Sequence, residues 1–263
     1  MKVGIKMKAP KNILDVWKRF DNFPMDTLTK GWLVYKKNFK RQRDVELMKE
    51  HKEKYGITGN CFDLALWLYD EFQKEGIESY FIGSHFHTPK AHVGVIAVDE
   101  SGNCYLCDLG DQWLQPILID SSLIFTEEKL DGFFPGAKVK VIPSDEAVVI
   151  EYYRPNGKMS SQTYETKKIE YDEFMEAANH SQSHVRSRVL LECRIPYKDE
   201  IAHWEFYNWE SFLSTTEGLY RDQPLETIED WADRIHEKTG YNRKFLVEAL
   251  SVYKDIQIFD DGK

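Results

Sequence analysis

The sequence predicts an α+β fold, because helical and strand patterns occupy separate parts of the chain. Apolar residues recur at helical spacing within the first 80 residues, and short runs rich in β-branched and aromatic residues follow them. Capped helical patterns return in the last third of the chain. We therefore expect a helical lobe over residues 1–80, a β lobe over 81–200 and a C-terminal helical covering region over 201–263.

Three segments define the helical lobe. The first carries an apolar stripe at i, i+3, i+4 and i+7 spacing, formed by Ile13, Val16, Trp17 and Phe20. A weaker helical pattern covers 45–55 and ends at Gly56. The third pattern covers 61–74, and Gly76 after it is the expected C-cap.

Strand patterns follow one another through the β lobe. They cover 77–83, 92–98, 105–109, 139–142, 148–153, 161–167 and 188–194. A short helix is predicted among them, over 171–178. The capping residues Thr227 and Asn242 predict two C-terminal helices, over 228–237 and 242–252.

The charge of the chain argues against nucleic acid as a general partner. The 263 residues carry a formal net charge of −9, so the surface as a whole repels phosphate backbones. One basic run interrupts this pattern, and we interpret it as a solvated helix face. It consists of Lys36, Lys37, Lys40, Arg41 and Arg43.

Other bulk features bear on the compartment. No stretch approaches the roughly 18 apolar residues of a membrane helix, and residues 1–10 lack the apolar core of a leader peptide. Four cysteines in a chain of this length do not indicate a disulfide framework. We expect a cytoplasmic protein without membrane contact, and the sequence leaves its oligomeric state open.

Cys61 is the candidate nucleophile. It opens the helix predicted over 61–74, directly after Gly59 and Asn60. A helix N-terminus presents unpaired N–H groups and the positive end of the dipole, which favour a thiolate and can also stabilise an oxyanion. The structural alternative is that Cys61 is a small apolar residue at a buried helix start.

His92 and Asp108 are the candidate base and its orienting acid. His92 begins one predicted strand and Asp108 closes the next, with the loop 99–103 between them. A five-residue loop centred on Ser101 makes paired positions sum to 202, which places both side chains on one face of the hairpin. A two-residue turn would put them on opposite faces, and His92 would then be a structural strand residue.

The order and spacing of these three residues resemble the arylamine N-acetyltransferase family, whose fold is papain-like. The family's glycine-rich turn before the cysteine corresponds to Gly59-Asn60-Cys61, and its Asp-x-Gly turn to Asp108-Leu109-Gly110. The resemblance covers roughly residues 55–195. The chain departs from the family at Ile57-Thr58-Gly59, where an arginine and one glycine are missing, and at Asp111, where an aromatic residue is usual.

The resemblance implies a Cys61–His92–Asp108 triad that moves an acetyl group from acetyl-CoA to a small amine-type acceptor through a Cys61 thioester. It also implies that residues 201–263 form a lid, and it implies no metal. The residues that bind the cofactor are not identifiable from the sequence. Two other functions stay open: a cysteine hydrolase or transglutaminase-like enzyme with the same triad, and a non-catalytic protein of the same fold.

Three other groups of residues are weaker candidates for a site. Cys104-x-x-Cys107 has a metal or redox spacing, but residues three apart on a strand point to opposite faces. His85-x-His87, with His92, has a metal-like spacing. A set of aromatic residues could line a cleft, although core packing is the more ordinary role. That set is Tyr152, Tyr153, Trp204, Tyr207 and Trp209.

Overall fold

The computed structural model describes residues 8–120 and 128–261, so residues 1–7 of the N-terminal segment lie outside the described part. Seven α-helices lie within that part, and Lys18–Phe20 adds a short 3₁₀ turn. The helices are α1 (Lys11–Trp17), α2 (Leu28–Lys36), α3 (Val45–Tyr55), α4 (Cys61–Lys74), α5 (Tyr171–Ser183), α6 (Ile228–Thr239) and α7 (Arg243–Asp261).

Thirteen strands within the described residues form three antiparallel sheets. The first sheet has the order β2-β3-β4-β5, from Ser79–Ser84, His92–Val98, Cys104–Cys107 and Ile117–Leu118. The second has the order β6-β7-β8-β9, from Leu130–Phe134, Ala137–Pro143, Ala147–Tyr153 and Met159–Glu165. The third has the order β1-β10-β11-β12-β13, from Met25–Asp26, Leu190–Tyr197, Glu200–Tyr207, Glu210–Ser214 and Leu219–Arg221.

Helix α4 is the central element of the larger of two cores. Its stripe of buried side chains includes Phe62, Leu64, Leu68 and Phe72, and it packs against α1, α3 and the first sheet. Asn60 and Asp63 form a reciprocal capping box at its start, which explains why the helix begins at Cys61. The predicted helix over 61–74 is confirmed.

The C-terminal region differs from the sequence prediction. Residues 201–263 were expected to be helical, but β11, β12 and β13 occupy much of 200–221 and the first helix begins at Ile228. The cause is a period-two pattern in Glu200–Tyr207, in which Trp204 and Phe206 are buried on one face of the sheet. That face and helices α2, α6 and α7 enclose the second core.

Candidate active site

The first turn of α4 leaves one backbone donor for a substrate. The Asn60 side chain accepts hydrogen bonds from the N–H groups of Phe62 (2.9 Å) and Asp63 (3.3 Å). The Leu64 N–H donates to the Asn60 carbonyl oxygen. Because the first N–H of a helix has no intrahelical acceptor, the Cys61 N–H is the group that this turn can offer to an oxyanion.

The β3–β4 hairpin has the register that the odd loop predicts. Val95 pairs with Cys107 and Ile96 with Leu106, so paired positions sum to 202. His92 Nε2 lies 2.5 Å from Asp108 Oδ2. The prediction that the two side chains share a face within hydrogen-bond reach is confirmed.

The remaining ring nitrogen of His92 is available to Cys61. Asp108 takes Nε2, which leaves Nδ1 as the nitrogen that can exchange a proton with the thiol. Burial opposes a charge on His92, but the charge and hydrogen bond of Asp108, followed by a hydrogen bond with Cys61, raise its pKa well above the ordinary value. The imidazole is therefore suited to hold a proton beside a thiolate.

Asp108 is itself fixed by further hydrogen bonds. Only 1% of the residue is exposed, its Oδ2 also accepts from the Tyr164 hydroxyl at 2.8 Å, and its Oδ1 accepts from the Asp111 N–H at 3.0 Å. Tyr152 in turn donates to Asp111 Oδ2 at 2.5 Å. A buried carboxylate with three donors stays in one orientation, and so does the ring it binds.

Gly110 permits the close approach of the turn after β4 to Cys61 at the start of α4. A Cβ at position 110 would lie 2.6 Å from the Cβ of Cys61 and 3.2 Å from Asp108 Oδ1. Contacts that short do not occur between carbon atoms, so any other residue would force the cysteine away from the Asp-x-Gly turn. Glycine is thus required by the packing of the site itself.

A buried arginine supports the turn before Cys61, and the sequence analysis did not identify it. Arg43 is 1% exposed, its Nη2 lies 3.1 Å from Asp63 Oδ2, and it donates to the Thr58 carbonyl oxygen at 2.6 Å. The interpretation of Arg43 as part of a solvated helix face is therefore wrong. Helix α2 ends at Lys36, and the guanidinium turns inward to pair with Asp63.

Gly59 is required by this arginine. Its φ is +120°, and a Cβ there would lie 2.1 Å from Asp63 Oδ2 and 2.4 Å from Arg43 Nη2. The backbone conformation at this position favours glycine, and the space that a side chain would occupy is already filled by the Arg43–Asp63 ion pair. The glycine two residues before Cys61 is therefore required by the packing of this turn.

A second buried network joins the same turn to the C-terminal region. The Tyr241 hydroxyl lies 2.6 Å from Thr58 Oγ1 and donates to Asp26 Oδ2 at 2.7 Å. Asp26 also accepts from the N–H of Gly59 at 3.2 Å. Residues from three distant parts of the chain therefore hold the backbone that leads into Cys61.

A cavity of about 510 Å³, lined by basic residues, opens at Ala91, the residue before His92. Its titratable lining residues are Lys30, Tyr35, His87, His180, His184 and Arg186. No aspartate or glutamate is among the described residues that line it. Ala91, next to His92, is part of the wall, so the cavity adjoins the candidate catalytic groups.

The basic residues of this cavity lie close to one another. The rings of His180 and His184 stack with centroids 4.1 Å apart, and His87 lies edge-on to His180 at 4.9 Å. Burial lowers the pKa of Lys30 to about 8, with Arg186 acting in the same direction and Cys61 opposing it. An anion in the cavity would relieve this repulsion.

The weaker sequence candidates do not form sites in the described residues. Cys104 and Cys107 are free thiols, and burial raises the pKa of both. His85 and His87 have positive φ in the loop after β2 instead of sharing a strand face. Of the aromatic residues, Tyr152 and Trp204 are buried core side chains, whereas Tyr207 is 36% exposed.

No helix among the described residues combines the length and the hydropathy needed to cross a bilayer.

Comparisons of sequence find no relative: no family model matches the chain, and no curated protein matches it. Solved structures do match. The arylamine N-acetyltransferase of Mycobacterium marinum has a TM-score of 0.70 at 10% identity, over 92% of this chain and 91% of that one. The same enzyme in complex with CoA gives 0.68 at 10% identity, over 91% of both chains.

The arylamine N-acetyltransferase of Salmonella typhimurium matches equally well. Its TM-score is 0.69 at 12% identity, over 91% of this chain and 89% of that one. At such identities the likeness is one of fold. The chain therefore has a mixed helix and sheet fold like that of the arylamine N-acetyltransferases, over nearly its whole length.

Proposed function

We propose that this chain is an acyltransferase that moves an acetyl group from acetyl-CoA to an amine-type acceptor through a thioester on Cys61. The observation that carries the proposal is the arrangement of Cys61, His92 and Asp108 beside a cationic cavity. The fold supports it, because similar structures are acetyltransferases and one of them was solved with CoA.

The three residues would act in a fixed order. His92 Nδ1 takes the proton of Cys61, and Asp108 stabilises the imidazolium that forms. The Cys61 sulfur attacks the thioester carbonyl carbon while the Cys61 N–H donates to the carbonyl oxygen. His92 returns its proton to the departing CoA sulfur as the carbon–sulfur bond of the donor breaks.

The second half of the cycle uses the same groups. An amine nitrogen attacks the acetyl carbon on Cys61, and His92 takes the proton that this nitrogen loses. The bond between carbon and the Cys61 sulfur breaks, which restores the thiolate–imidazolium pair. The product is an amide, and no step requires an oxidant or a metal.

The cationic cavity supplies the contacts that the phosphates of CoA need. Lys30 and Arg186 offer positive charges, and His180 and His184 offer ring donors. In a chain of net charge −9, a wall without carboxylates is a local exception. Lys30 and Cys61 interact electrostatically, so the cavity lies on the same side of the chain as the sulfur.

The first experiment follows the acetyl group by intact mass. Acetyl-CoA without an acceptor should add one acetyl mass to the wild-type chain and map to the Cys61 peptide. Cys61→Ala should abolish the adduct, and Cys104→Ala, which removes a thiol away from the triad, should retain it. Absence of an adduct, together with no thermal stabilisation by acetyl-CoA, would overturn the choice of donor.

The second experiment tests the cavity through the donor. Lys30→Ala and Arg186→Ala should raise KM for acetyl-CoA and leave the rate with a truncated thioester, which lacks the phosphates, nearly unchanged. Lys90→Ala, next to the cavity wall at Ala91, is the matched control and should change neither rate. Equal losses with both donors would place these two residues in the catalytic step instead of in phosphate binding.

A further inference from the structure

A second histidine and two glutamates meet on the face of the β10–β11 hairpin away from the second core. Glu192 on β10 is directly opposite Glu205 on β11, and His203 lies two positions before Glu205 on the same face. One oxygen of each carboxylate and a ring nitrogen of His203 all lie within 4.8 Å of one another. None of these residues belongs to the candidate triad.

The His203 ring nitrogen lacks a partner in the described structure. The residue is 7% exposed, and its Nε2 is buried without a hydrogen bond. The nearest carboxylate oxygen, Glu192 Oε1, lies 3.8 Å away, which is beyond hydrogen-bond distance. Since buried polar atoms are almost always satisfied, an unpaired nitrogen in a cluster with two carboxylates points to a missing group.

The two glutamates present the opposite problem, because like charges face each other across the hairpin. Directly opposed like charges destabilise a strand pair, and Glu192 is only 17% exposed. Arg154 and Lys158 are the cations that act on Glu205, but neither forms an ion pair with it in the described structure, and Arg154 Nη1 donates to Ser160 Oγ. The cluster thus combines two oxygen acceptors with a free imidazole nitrogen.

We propose that Glu192, His203 and Glu205 bind one divalent metal ion of the manganese, cobalt or zinc class. These ions accept one nitrogen and two carboxylate oxygens as ligands. Because both glutamates are partly exposed, water molecules can reach the ion and fill its remaining coordination positions. A single ion would give His203 Nε2 its partner and balance both carboxylates.

A shared proton is the competing explanation. A proton held between Glu192 and Glu205 would remove the repulsion of the carboxylates, but it would leave the His203 nitrogen unsatisfied. A metal ion accounts for all three groups at once. The two explanations differ in what binds to the chain, which makes them separable by titration.

The location gives such an ion a structural role. The Phe134 ring, on β6, lies 5.9 Å from the His203 ring, so the site lies where the β10–β11 hairpin packs against the second sheet. An ion there would fasten the hairpin in place. This inference does not rest on the proposed acyl transfer, because it uses different residues.

The test uses the full chain after treatment with a chelator. Mn²⁺ is the first probe, because it prefers carboxylate ligands and binds thiolates poorly, so Cys61 does not compete. Calorimetry should show one ion per chain, and the ion should raise the thermal midpoint. His203→Gln and Glu205→Gln should weaken binding at least tenfold, whereas the exposed controls His85→Gln and Glu165→Gln should bind like the wild type.

Two results would overturn the site. One is a wild-type chain that binds none of Mn²⁺, Co²⁺ and Zn²⁺ at millimolar concentration. The other is unchanged affinity in both His203→Gln and Glu205→Gln. If both variants fail to fold, electron spin-echo spectroscopy of Mn²⁺ on the wild type decides, because a coordinated imidazole nitrogen couples to the metal and its absence rejects the site.

Discussion

Two histidines of the described residues face carboxylates, and the two pairs behave in opposite ways. His92 lies 2.5 Å from Asp108, and its pKa is raised well above the ordinary value. His203 lies 3.8 Å from Glu192, and burial lowers its pKa to about 4. Each histidine lies beside a carboxyl group, yet the His92 ring favours the charged form and the His203 ring the neutral form.

The difference lies in how each acid is held. Asp108 receives the Tyr164 hydroxyl and the Asp111 N–H as well as His92, so its charge is stabilised and directed at one ring. Glu192 instead faces Glu205, and burial with that neighbouring charge raises its pKa well above the ordinary value. In this chain the histidine suited to deprotonate a thiol is the one whose carboxylate partner is ionised and already accepts hydrogen bonds from other groups.

The largest effect is expected from a substitution that breaks the His92–Asp108 pair. Asp108→Asn removes the charge that keeps the His92 pKa high, so the Cys61 thiolate should lose its imidazolium partner. We expect acyl transfer to fall by about 10³- to 10⁴-fold. The rate of Cys61 alkylation by iodoacetamide should fall with it at pH 7, a measurement that does not depend on the donor.

Glu192→Gln is the control for that experiment, because it replaces a nearby, partly buried carboxyl group that makes no hydrogen bond with His92. It should leave the alkylation rate of Cys61 close to that of the wild type. Equal losses in the two variants would show that the net charge near the site matters and that the His92–Asp108 geometry does not.

The next effect tests the approach of Cys61 to its pair. In Gly110→Ala the new Cβ would meet the Cβ of Cys61 at 2.6 Å, so we expect a loss of about 1–3 kcal/mol in the free energy of unfolding. The rate of acylation should fall as well. Urea unfolding and a single-turnover assay measure the two effects.

Gly94→Ala is the control for the glycine experiment. A Cβ at position 94 would meet the Leu106 side chain at 3.4 Å, which is an ordinary contact. This substitution should change the stability by less than about 1 kcal/mol. If the two alanine variants were equally stable and active, Gly110 would not be needed for close approach.

A smaller effect concerns the pH dependence of stability at Asp111. Burial and then the charge of Asp108 raise the pKa of Asp111 to about 6. The folded chain therefore holds a proton that the unfolded chain releases near pH 4, so this group lowers the free energy of unfolding as the pH rises from about 4 to about 6.

Asp111→Asn should remove that decline and keep an acceptor for the Tyr152 hydroxyl. Relative to the wild type, the variant should gain on the order of 2 kcal/mol between pH 4 and pH 7. Urea unfolding at several pH values measures the difference. Parallel curves for the two proteins would contradict the raised pKa.

The smallest expected effect tests the repulsion between Glu192 and Glu205 beside His203. In chelator-treated protein at pH 8, Glu192→Gln removes a carboxylate whose ionised form is disfavoured beside Glu205, so it should stabilise the fold by roughly 1 kcal/mol. Glu165→Gln, on the exposed side of β9, should have no effect. A destabilised Glu192→Gln would mean that the two carboxylates already share a favourable proton.

The sequence predicted the candidate site better than its surroundings. The start of α4 and the register of the β3–β4 hairpin follow from local rules, namely the Asn60 cap and the odd loop 99–103. Arg43 could not be found in this way. Its neighbour Arg41 is exposed, and only the tertiary contact with Asp63 distinguishes the two.

The pair formed by Glu192 and His203 could not be predicted from the sequence, for a related reason. Glu192 and His203 are 11 positions apart and meet only because β10 and β11 pair in the observed register. The interpretation of residues 201–263 as helical hid that hairpin. Pairing between strands is a long-range property, which periodicity within one segment does not report.

The link between Tyr241 and Thr58 has a consequence for the synthesis of the protein. The two residues are 183 positions apart, and the Tyr241 hydroxyl also completes the hydrogen bonding of Asp26. A chain growing on the ribosome thus contains Cys61 long before the partner of the preceding turn has been made. The hydrogen bonds that hold the turn before Cys61 are therefore complete only after residue 241 has left the ribosome. A chain that is interrupted earlier contains Cys61 but lacks the tyrosine that helps to position it.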